Sequence, residues 1–288
     1  MTGEQGPGPG AAGWVPKLVA LDIDGTLLIP DFEKGFSAEQ VTEPVHDAVL
    51  AAVDAGAHVV LSSGRAPLSM GGLADRLGLT RAVEERDGER LWVVASNGSV
   101  VFRHAPIDVV HEVTFDASDA VRAVLAEVPG AAVAVEEHGI GYRVNREFPP
   151  GELDGEMILT DIDHMIADPV SRVIIRDPDS TSEDFQHLAR KLGLQGTNYF
   201  IGWTAWLDLA PEGVTKASGL QLVCDKLGVA AADVLAIGDG RNDIELLRWA
   251  GRGVAMGQAP DSVKRAADAV AGPVTEDGAA VELRRWFG

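Results

Sequence analysis

The stretch Val19-Ala20-Leu21-Asp22-Ile23-Asp24-Gly25-Thr26-Leu27 decides how the rest of the chain is interpreted. An apolar run ends there in two carboxylates one residue apart, and Gly25 then turns the backbone. A buried strand of a parallel sheet that opens onto a ligand at its carboxyl end has this pattern. Two carboxylates so close repel each other, and a hard cation such as Mg²⁺ is the simplest way to keep both ionised. An Asp-Gly turn after a buried strand explains the same residues, because both are ordinary turn residues.

The composition is that of a globular protein large enough for two domains, with 288 residues of which 46% are hydrophobic. No apolar run approaches the roughly 20 residues needed to cross a bilayer. Residues 1–13 are rich in Gly, Pro and Ala and lack the features of a signal peptide, so we expect a disordered tail there. Cys224 is the only cysteine and lies in an apolar stretch, which predicts a buried thiol and a cytoplasmic protein.

The charge of the chain is strongly negative, −20, with 44 acidic against 24 basic residues. Nucleic acids and anionic membranes both need a basic surface, so neither is expected as a partner. A phosphorylated ligand would need a cation and a few well-placed basic groups to offset this charge locally.

Strands and helices alternate in the first third of the chain. Periodic apolar residues predict helices over residues 42–55 and 67–77. Strands are predicted at 58–61, which stops at Ser62-Ser63-Gly64-Arg65, and at 91–95, which stops at Ser96-Asn97-Gly98. This alternation predicts an α/β fold with a doubly wound parallel sheet.

From residue 99 the pattern changes to antiparallel strands mixed with helices, and it changes back near residue 211. A helix then carries Lys216 at its start, and a buried strand at 234–237 ends in Gly238-Asp239-Gly240-Arg241-Asn242-Asp243. We therefore predict a core of residues 14–98 and 211–288, interrupted by an inserted α+β domain of residues 99–210.

Polar side chains follow the predicted core strands at the point where each strand ends. Parallel strands bring their carboxyl ends to one edge of the sheet, so groups far apart in sequence are expected to meet there. Taken singly, each group has an ordinary structural interpretation. Lys216 would be a solvated lysine at a helix start, Ser63 would be a turn residue, and Asp239 to Asp243 would be the capped start of a helix. These interpretations do not explain why the groups all follow strands.

The motifs Asp22-Ile23-Asp24-Gly25-Thr26-Leu27, Ser63-Gly64-Arg65, Thr215-Lys216 and Gly238-Asp239-Gly240-Arg241-Asn242-Asp243 occur in this order. With them, the sequence resembles the haloacid dehalogenase superfamily of phosphatases, in particular its Cof-type branch, from about Val15 to the end. The resemblance implies a Rossmann-like core, and the position of the insert matches the larger α/β cap of that family.

Two residues depart from the family's pattern. Ser63 stands where Thr is usual and keeps the hydroxyl. Gln258 replaces the Asn usual after Met256-Gly257, and we predict that it alters a secondary polar contact and not the chemistry.

The resemblance also implies a role for each residue of the motifs. Asp22 would be the nucleophile that forms an aspartyl-phosphate, and Asp24 the general acid and base. Mg²⁺ would be held by Asp22, the backbone carbonyl of Asp24 and Asp239, with Asp243 as a further ligand or a partner through water. The remaining roles are phosphate binding by Ser63, Gly64, Asn242 and Lys216, and substrate binding by Arg65 and Asn97. Candidates for substrate selection in the cap are Glu136, His138, Tyr142, Arg143, Arg176 and Trp203.

These roles predict a Mg²⁺-dependent phosphatase of small phosphorylated metabolites, sugar phosphates among them. Two alternatives stay open. One is a phosphomutase that uses the same aspartyl-phosphate, and the other is a non-catalytic protein that binds a phosphorylated ligand. The presence of Asp22, Asp24, Lys216 and Asp239 together argues against the second, because a protein that only binds has no need of all four.

Overall fold

The computed structural model describes residues 13–29, 41–192, 197–201 and 206–288, with side chains left out at 182 and 197–201. The predicted tail, except for Gly13, and the cap candidate Trp203 lie outside the described residues. No helix in the described ranges is long and apolar enough to cross a membrane.

The strands of the described chain are β1 (Leu18–Leu21), β2 (His58–Ser62), β3 (Leu91–Ala95), β4 (Val100–His104), β5 (Asp108–Glu112), β6 (Ala132–Glu137), β7 (Gly141–Val144), β8 (Glu156–Leu159), β9 (Val173–Arg176), β10 (Thr197–Ile201), β11 (Trp206–Pro211), β12 (Val234–Gly238), β13 (Arg252–Ala255) and β14 (Ala269–Val270). The α-helices are α1 (Glu43–Asp54), α2 (Pro67–Arg76), α3 (Leu79–Asp87), α4 (Ser118–Glu127), α5 (Ile162–Met165), α6 (Ser182–Leu192), α7 (Lys216–Leu227), α8 (Ile244–Trp249), α9 (Asp261–Lys264) and α10 (Gly278–Phe287).

The larger sheet has the order β14-β13-β12-β1-β2-β3-β4-β5 and is parallel from β14 to β3. Strand β1 lies between β2 and β12, so the chain winds outward from it in both directions. This is the switch point at which doubly wound sheets bind ligands. The predicted fold class is confirmed.

Helices cover both faces of this sheet. Helices α1, α2, α3 and α10 contribute to the apolar cluster on one face, and α7, α8 and α9 to that on the other. In α1 the buried residues are Val45, Ala48, Val49, Ala52 and Val53, the spacing of a helix with one apolar face. Helix α3 was missed from the sequence, because only Leu79 and Val83 of its nine residues are buried and its apolar pattern is weak.

Strand β4, which directly follows the predicted start of the insert at residue 99, belongs to the larger sheet. Strand β4 pairs antiparallel with β3, from Ala95 opposite Val100 to Leu91 opposite His104, and β5 pairs with β4. A short 3₁₀ turn over Ser96–Gly98 reverses the chain directly after β3, so the next strand takes the free edge of the core sheet. An antiparallel hairpin has the same local sequence pattern whether it lies on the edge of the core sheet or in a separate domain, so the sequence does not distinguish the two. We propose residues 113–211 as the bounds of the cap.

The cap contains a second sheet with the order β10-β11-β9-β6-β7-β8, antiparallel except for β7 and β8. Helices α4, α5 and α6 pack on one face of it. On the other face, Ala134, Tyr142 and Ile174 share an apolar cluster with Ala66, which precedes α2 of the core. This second face of the cap sheet therefore lies toward the core.

Candidate active site

Asp22 is the first residue after β1, and both of its carboxylate oxygens are engaged. Its backbone N–H donates to Ile237 C=O at 3.0 Å, which continues the pairing of β1 with β12 past the end of the strand. Oδ1 accepts a hydrogen bond from Lys216 Nζ at 2.6 Å, and Oδ2 accepts one from Thr26 Oγ1 at 3.3 Å. Thr26 was quoted in the motif without a role, and it helps to orient Asp22.

Lys216 is the first residue of α7, where Thr215 caps the helix, and its side chain is 0% exposed. The interpretation as a solvated lysine is wrong. Its Nζ donates to Asp22 Oδ1 and to Asp243 Oδ1, both at 2.6 Å. Burial lowers the pKa of Lys216, but the two carboxylates outweigh burial and raise the pKa above its usual range, so the ammonium stays charged.

Three buried carboxylates meet beside this lysine. Asp22, Asp239 and Asp243 each offer one oxygen, and these atoms lie within 4.8 Å of one another. Burial, and then repulsion from Asp243, raises the pKa of Asp22 well above its usual value and that of Asp239 to about 7. One ammonium does not offset three carboxylates. A small divalent cation with a preference for oxygen ligands, such as Mg²⁺, fits this set of donors.

Asp243 already has partners for both oxygens. Oδ1 accepts from Lys216, and Oδ2 accepts from the backbone N–H groups of Asp239 at 3.0 Å and Gly240 at 2.8 Å. It is fully buried. Of its two predicted roles, these contacts favour a partner that holds the loop and reaches a metal through water.

Asp24 lies apart from the acidic cluster and points toward Arg65. Arg65 Nε donates to Asp24 Oδ2 at 2.8 Å, and Nη2 donates to Asp24 Oδ1. The Arg65 side chain is 8% exposed and that of Asp24 41%. Arg65 was predicted to bind substrate, and the structure places it as a two-pronged clamp on the carboxylate predicted to move protons.

The loops after β2 and β3 are joined side by side. Asn97 N–H donates to Ser63 C=O at 3.0 Å, and Ser96 N–H donates to Arg65 C=O at 2.9 Å. The Asn97 amide lies against Gly64, where an added Cβ atom would stand 3.1 Å from its Oδ1 and Nδ2, a tight contact that would require the amide to shift.

Asn242 reaches this pair of loops from the end of β12. Its Nδ2 donates to Asn97 Oδ1 at 2.9 Å. The hydroxyl of Ser63 accepts from Arg65 N–H at 3.2 Å, which leaves its hydrogen to donate to a ligand. Ser63, Gly64, Asn97 and Asn242 are therefore brought to one edge, as predicted.

A residue of the cap contacts this edge directly. Ser96 Oγ lies 2.8 and 2.7 Å from the two oxygens of Glu136, whose side chain is 1% exposed. Glu136 also accepts from Arg172 at 3.0 Å, and Arg172 makes a two-pronged pair with Asp208. Trp206 Nε1 donates to Asp208 Oδ1 at 3.0 Å.

Only part of this polar group, which spans the core edge and the cap sheet, was predicted from the sequence. Glu136 was among the candidates, whereas Ser96, Arg172, Trp206 and Asp208 were missed. For Trp206, Asp208 and Arg172 the available signal was the alternation along β11 and along β9, which Arg172 directly precedes, because it sends every second residue to one face. Three other candidates have carboxylate partners: Arg143 with Glu137, Arg176 with Glu152, and His138 with Glu112. Tyr142 is buried on the same face.

Comparison with known proteins agrees with this geometry. The family model described as haloacid dehalogenase-like hydrolase matches residues 19–283. The chain belongs to the haloacid dehalogenase-like hydrolases. The resemblance stated from the four motifs is thereby confirmed.

Named relatives of this haloacid dehalogenase-like hydrolase include phosphatases. It is 29% identical to the 5-amino-6-(5-phospho-D-ribitylamino)uracil phosphatase YcsE of Bacillus subtilis (strain 168), over 94% of this chain and 95% of the relative. It is 27% identical to the HMP-PP phosphatase of Cronobacter sakazakii, over 84% and 85% of the two chains. A solved haloacid dehalogenase-like hydrolase from Bacteroides thetaiotaomicron superposes with a TM-score of 0.75 at 26% identity, covering 94% of this chain and 100% of that one.

Proposed function

We propose that this hydrolase is a Mg²⁺-dependent phosphatase of small phosphorylated molecules that works through an aspartyl-phosphate on Asp22. Its family and its relatives support the class of enzyme. The observation that carries the mechanism is the position of Asp22, buried at the switch point between Lys216 and two further carboxylates. Such a carboxylate needs its charge offset before it can approach a phosphate.

Asp22 is the nucleophile. One carboxylate oxygen attacks phosphorus, the bond from phosphorus to the leaving oxygen breaks, and the phosphoryl group stays on Asp22 until water attacks it. Lys216 holds Asp22 Oδ1 in place and stabilises the negative charge that develops on the transferring oxygens. Mg²⁺, held by Asp22 and Asp239 with the backbone carbonyl of Asp24, would screen the approach of one anion to another.

Asp24 supplies and removes protons in the two steps. It protonates the leaving oxygen in the first step, and as a carboxylate it takes a proton from the attacking water in the second. Arg65 fixes the direction of this carboxylate through two hydrogen bonds, so we place Arg65 as a group that acts through Asp24. Ser63, Gly64, Asn97 and Asn242 line the edge where the phosphate would be held.

The cap face that carries Glu136, Arg172, Trp206 and Asp208 selects the leaving group. Glu136 and Asp208 outnumber Arg172, so the buried face is rich in hydrogen-bond acceptors and carries no net positive charge. A neutral group with several hydroxyls, such as a sugar or a sugar alcohol, suits it. The name of the Bacillus subtilis relative refers to a substrate with a phosphorylated ribityl chain, which is a group of this kind.

A panel of phosphorylated metabolites and one aryl phosphate tests the proposal, assayed for released phosphate with Mg²⁺ and with a chelator. We expect turnover only with Mg²⁺, and none after Asp22→Asn. Absence of turnover in the whole panel with metal present would reject the phosphatase. An isomeric product in place of free phosphate would support a phosphomutase. If the wild type and Asp22→Asn bind a phosphorylated ligand with equal affinity and neither turns it over, the result would support the alternative of a non-catalytic binding protein.

A further inference from the structure

Gln258, in the loop after β13, lies against the acidic cluster and uses its whole amide group. Its Nε2 donates to Gly25 C=O at 2.5 Å and lies 3.2 Å from Asp239 Oδ2. Its Oε1 accepts from Val274 N–H at 2.9 Å. Since a backbone N–H can only donate, the Val274 contact requires the oxygen on that side and turns the NH₂ group toward Asp239.

Gln258 and Gly25 hold the carboxylate of Asp239 between them. Gly25 adopts a φ of +81°, and a Cβ atom there would overlap the Asp239 carboxylate. The turn after β1 therefore bounds this carboxylate on one side, and the Gln258 amide binds one of its oxygens. Asp239 Oδ2 is engaged in this way, so the Gln258 amide helps to fix the orientation of the whole carboxylate.

We infer that Gln258 is a positioning residue for the metal site: its amide orients Asp239 and ties it to the turn that follows the nucleophile. This inference rests on the proposed function, because it takes Asp239 to be a metal ligand. From the sequence we expected Gln258 to alter only a secondary polar contact. In the structure its amide instead contacts Asp239, which we take to be a metal ligand. Groups that hydrogen-bond a metal ligand fix its orientation and raise its affinity for the ion.

The length of the side chain matters for this role. The three partners belong to segments near residues 25, 239 and 274, and the Gln258 side chain is long enough to reach all of them. Asn has one methylene fewer, so from this backbone position we expect its amide to reach fewer of the same three groups. Gln258→Asn is therefore expected to lose part of the metal affinity, although its chemistry is the same.

The test is calorimetric titration of the whole purified protein with Mg²⁺. Gln258→Met keeps the length of the side chain and removes all three hydrogen bonds, so we expect the Kd for Mg²⁺ to rise about 10–100-fold. The matched control is Gln221→Met on α7, because Gln221 is exposed and also makes two side-chain hydrogen bonds, with Asp225 and Trp249 instead of the cluster. That variant should bind Mg²⁺ as the wild type does.

The outcomes separate this inference from the proposed function. A folded Gln258→Met protein that binds Mg²⁺ with unchanged Kd overturns the role of Gln258 and leaves the phosphatase proposal standing. A wild-type protein that binds no Mg²⁺ overturns the proposed function itself. If Gln258→Met fails to fold, as judged by circular dichroism, Gln258→Asn decides the question in the same titration.

Discussion

Lys216 Nζ lies 2.6 Å from Asp22 Oδ1, although the two residues are 194 positions apart in the chain. The contact joins two distant segments of the chain, the end of β1 and the start of α7. Both groups are buried, and Lys216 is held equally by Asp243. Lys216 is therefore part of the balance of charge within the core as well as part of the proposed chemistry.

Lys216→Met should remove both turnover and stability. Loss of one partner from a buried charge pair leaves the other uncompensated, and the cost is about 3–5 kcal/mol. We expect the metal-free variant to unfold at lower urea concentration than the wild type at pH 7. Lys226→Met, on the exposed last turn of the same helix, is the control and should change neither property. Wild-type turnover in Lys216→Met would contradict the role of this lysine.

The stability of the metal-free protein should depend on pH through Asp239. Its pKa is about 7 in the folded protein against an ordinary value of 3.8, so the folded state binds this proton more tightly than the unfolded state. The resulting stabilisation is present below the ordinary pKa and is lost as the pH rises toward about 7. Asp22, whose pKa is also raised, acts in the same direction.

Asp239→Asn isolates this effect from the other carboxylates. Over the same interval of pH, the variant should lose less stability than the wild type, and its advantage should be largest near neutral pH. Urea unfolding at several pH values in a chelator measures the difference. A constant difference between the two proteins across this interval would show that Asp239 does not titrate as described.

Arg65→Met should slow substrates according to their leaving group. Arg65 orients Asp24, and general acid–base catalysis contributes about 10²–10⁴-fold to a rate, so sugar phosphates should lose a large part of this factor. An aryl phosphate with a stable phenolate needs little protonation and should lose much less. Arg81→Met, an exposed arginine of α3, is the control. Equal losses for both substrates would instead indicate that Arg65 acts on binding or folding.

Ser96→Ala should weaken the contact between core and cap. The hydroxyl is bound to the Glu136 carboxylate, and a hydrogen bond to a charged group contributes about 1.5–3 kcal/mol. We expect kcat/KM to fall about tenfold, mainly through KM. Ser99→Ala is the control, because that hydroxyl is buried nearby and makes no hydrogen bond to any described residue. Similar kinetics in the two variants would exclude a role for the Ser96 contact in closing the cap.

Local patterns were sufficient to predict the central parallel strands of the core sheet. Apolar and β-branched runs located β1, β2, β3 and β12, and the rule that parallel strands share one carboxyl edge placed Asp22, Ser63 and Asp239 together. Weakly patterned elements such as α3 and the four-residue strand β8 were missed, because few of their residues are buried. Hydrophobic periodicity indicates an element through its buried residues, so it gives no signal for a helix or strand that buries few of them.

The sequence by itself determined the doubly wound core, the order of its motifs and the residues that meet at its edge. Only the tertiary structure decided that β4 belongs to the core sheet, that Arg65 clamps Asp24, and that Glu136 bonds Ser96 across the two domains. The physical reason is the separation along the chain of the residues that determine each feature. Secondary structure and strand-end chemistry follow from neighbouring residues, whereas the pairing of side chains depends on strand register and on how separate segments pack. That information is not present in any one stretch of the chain.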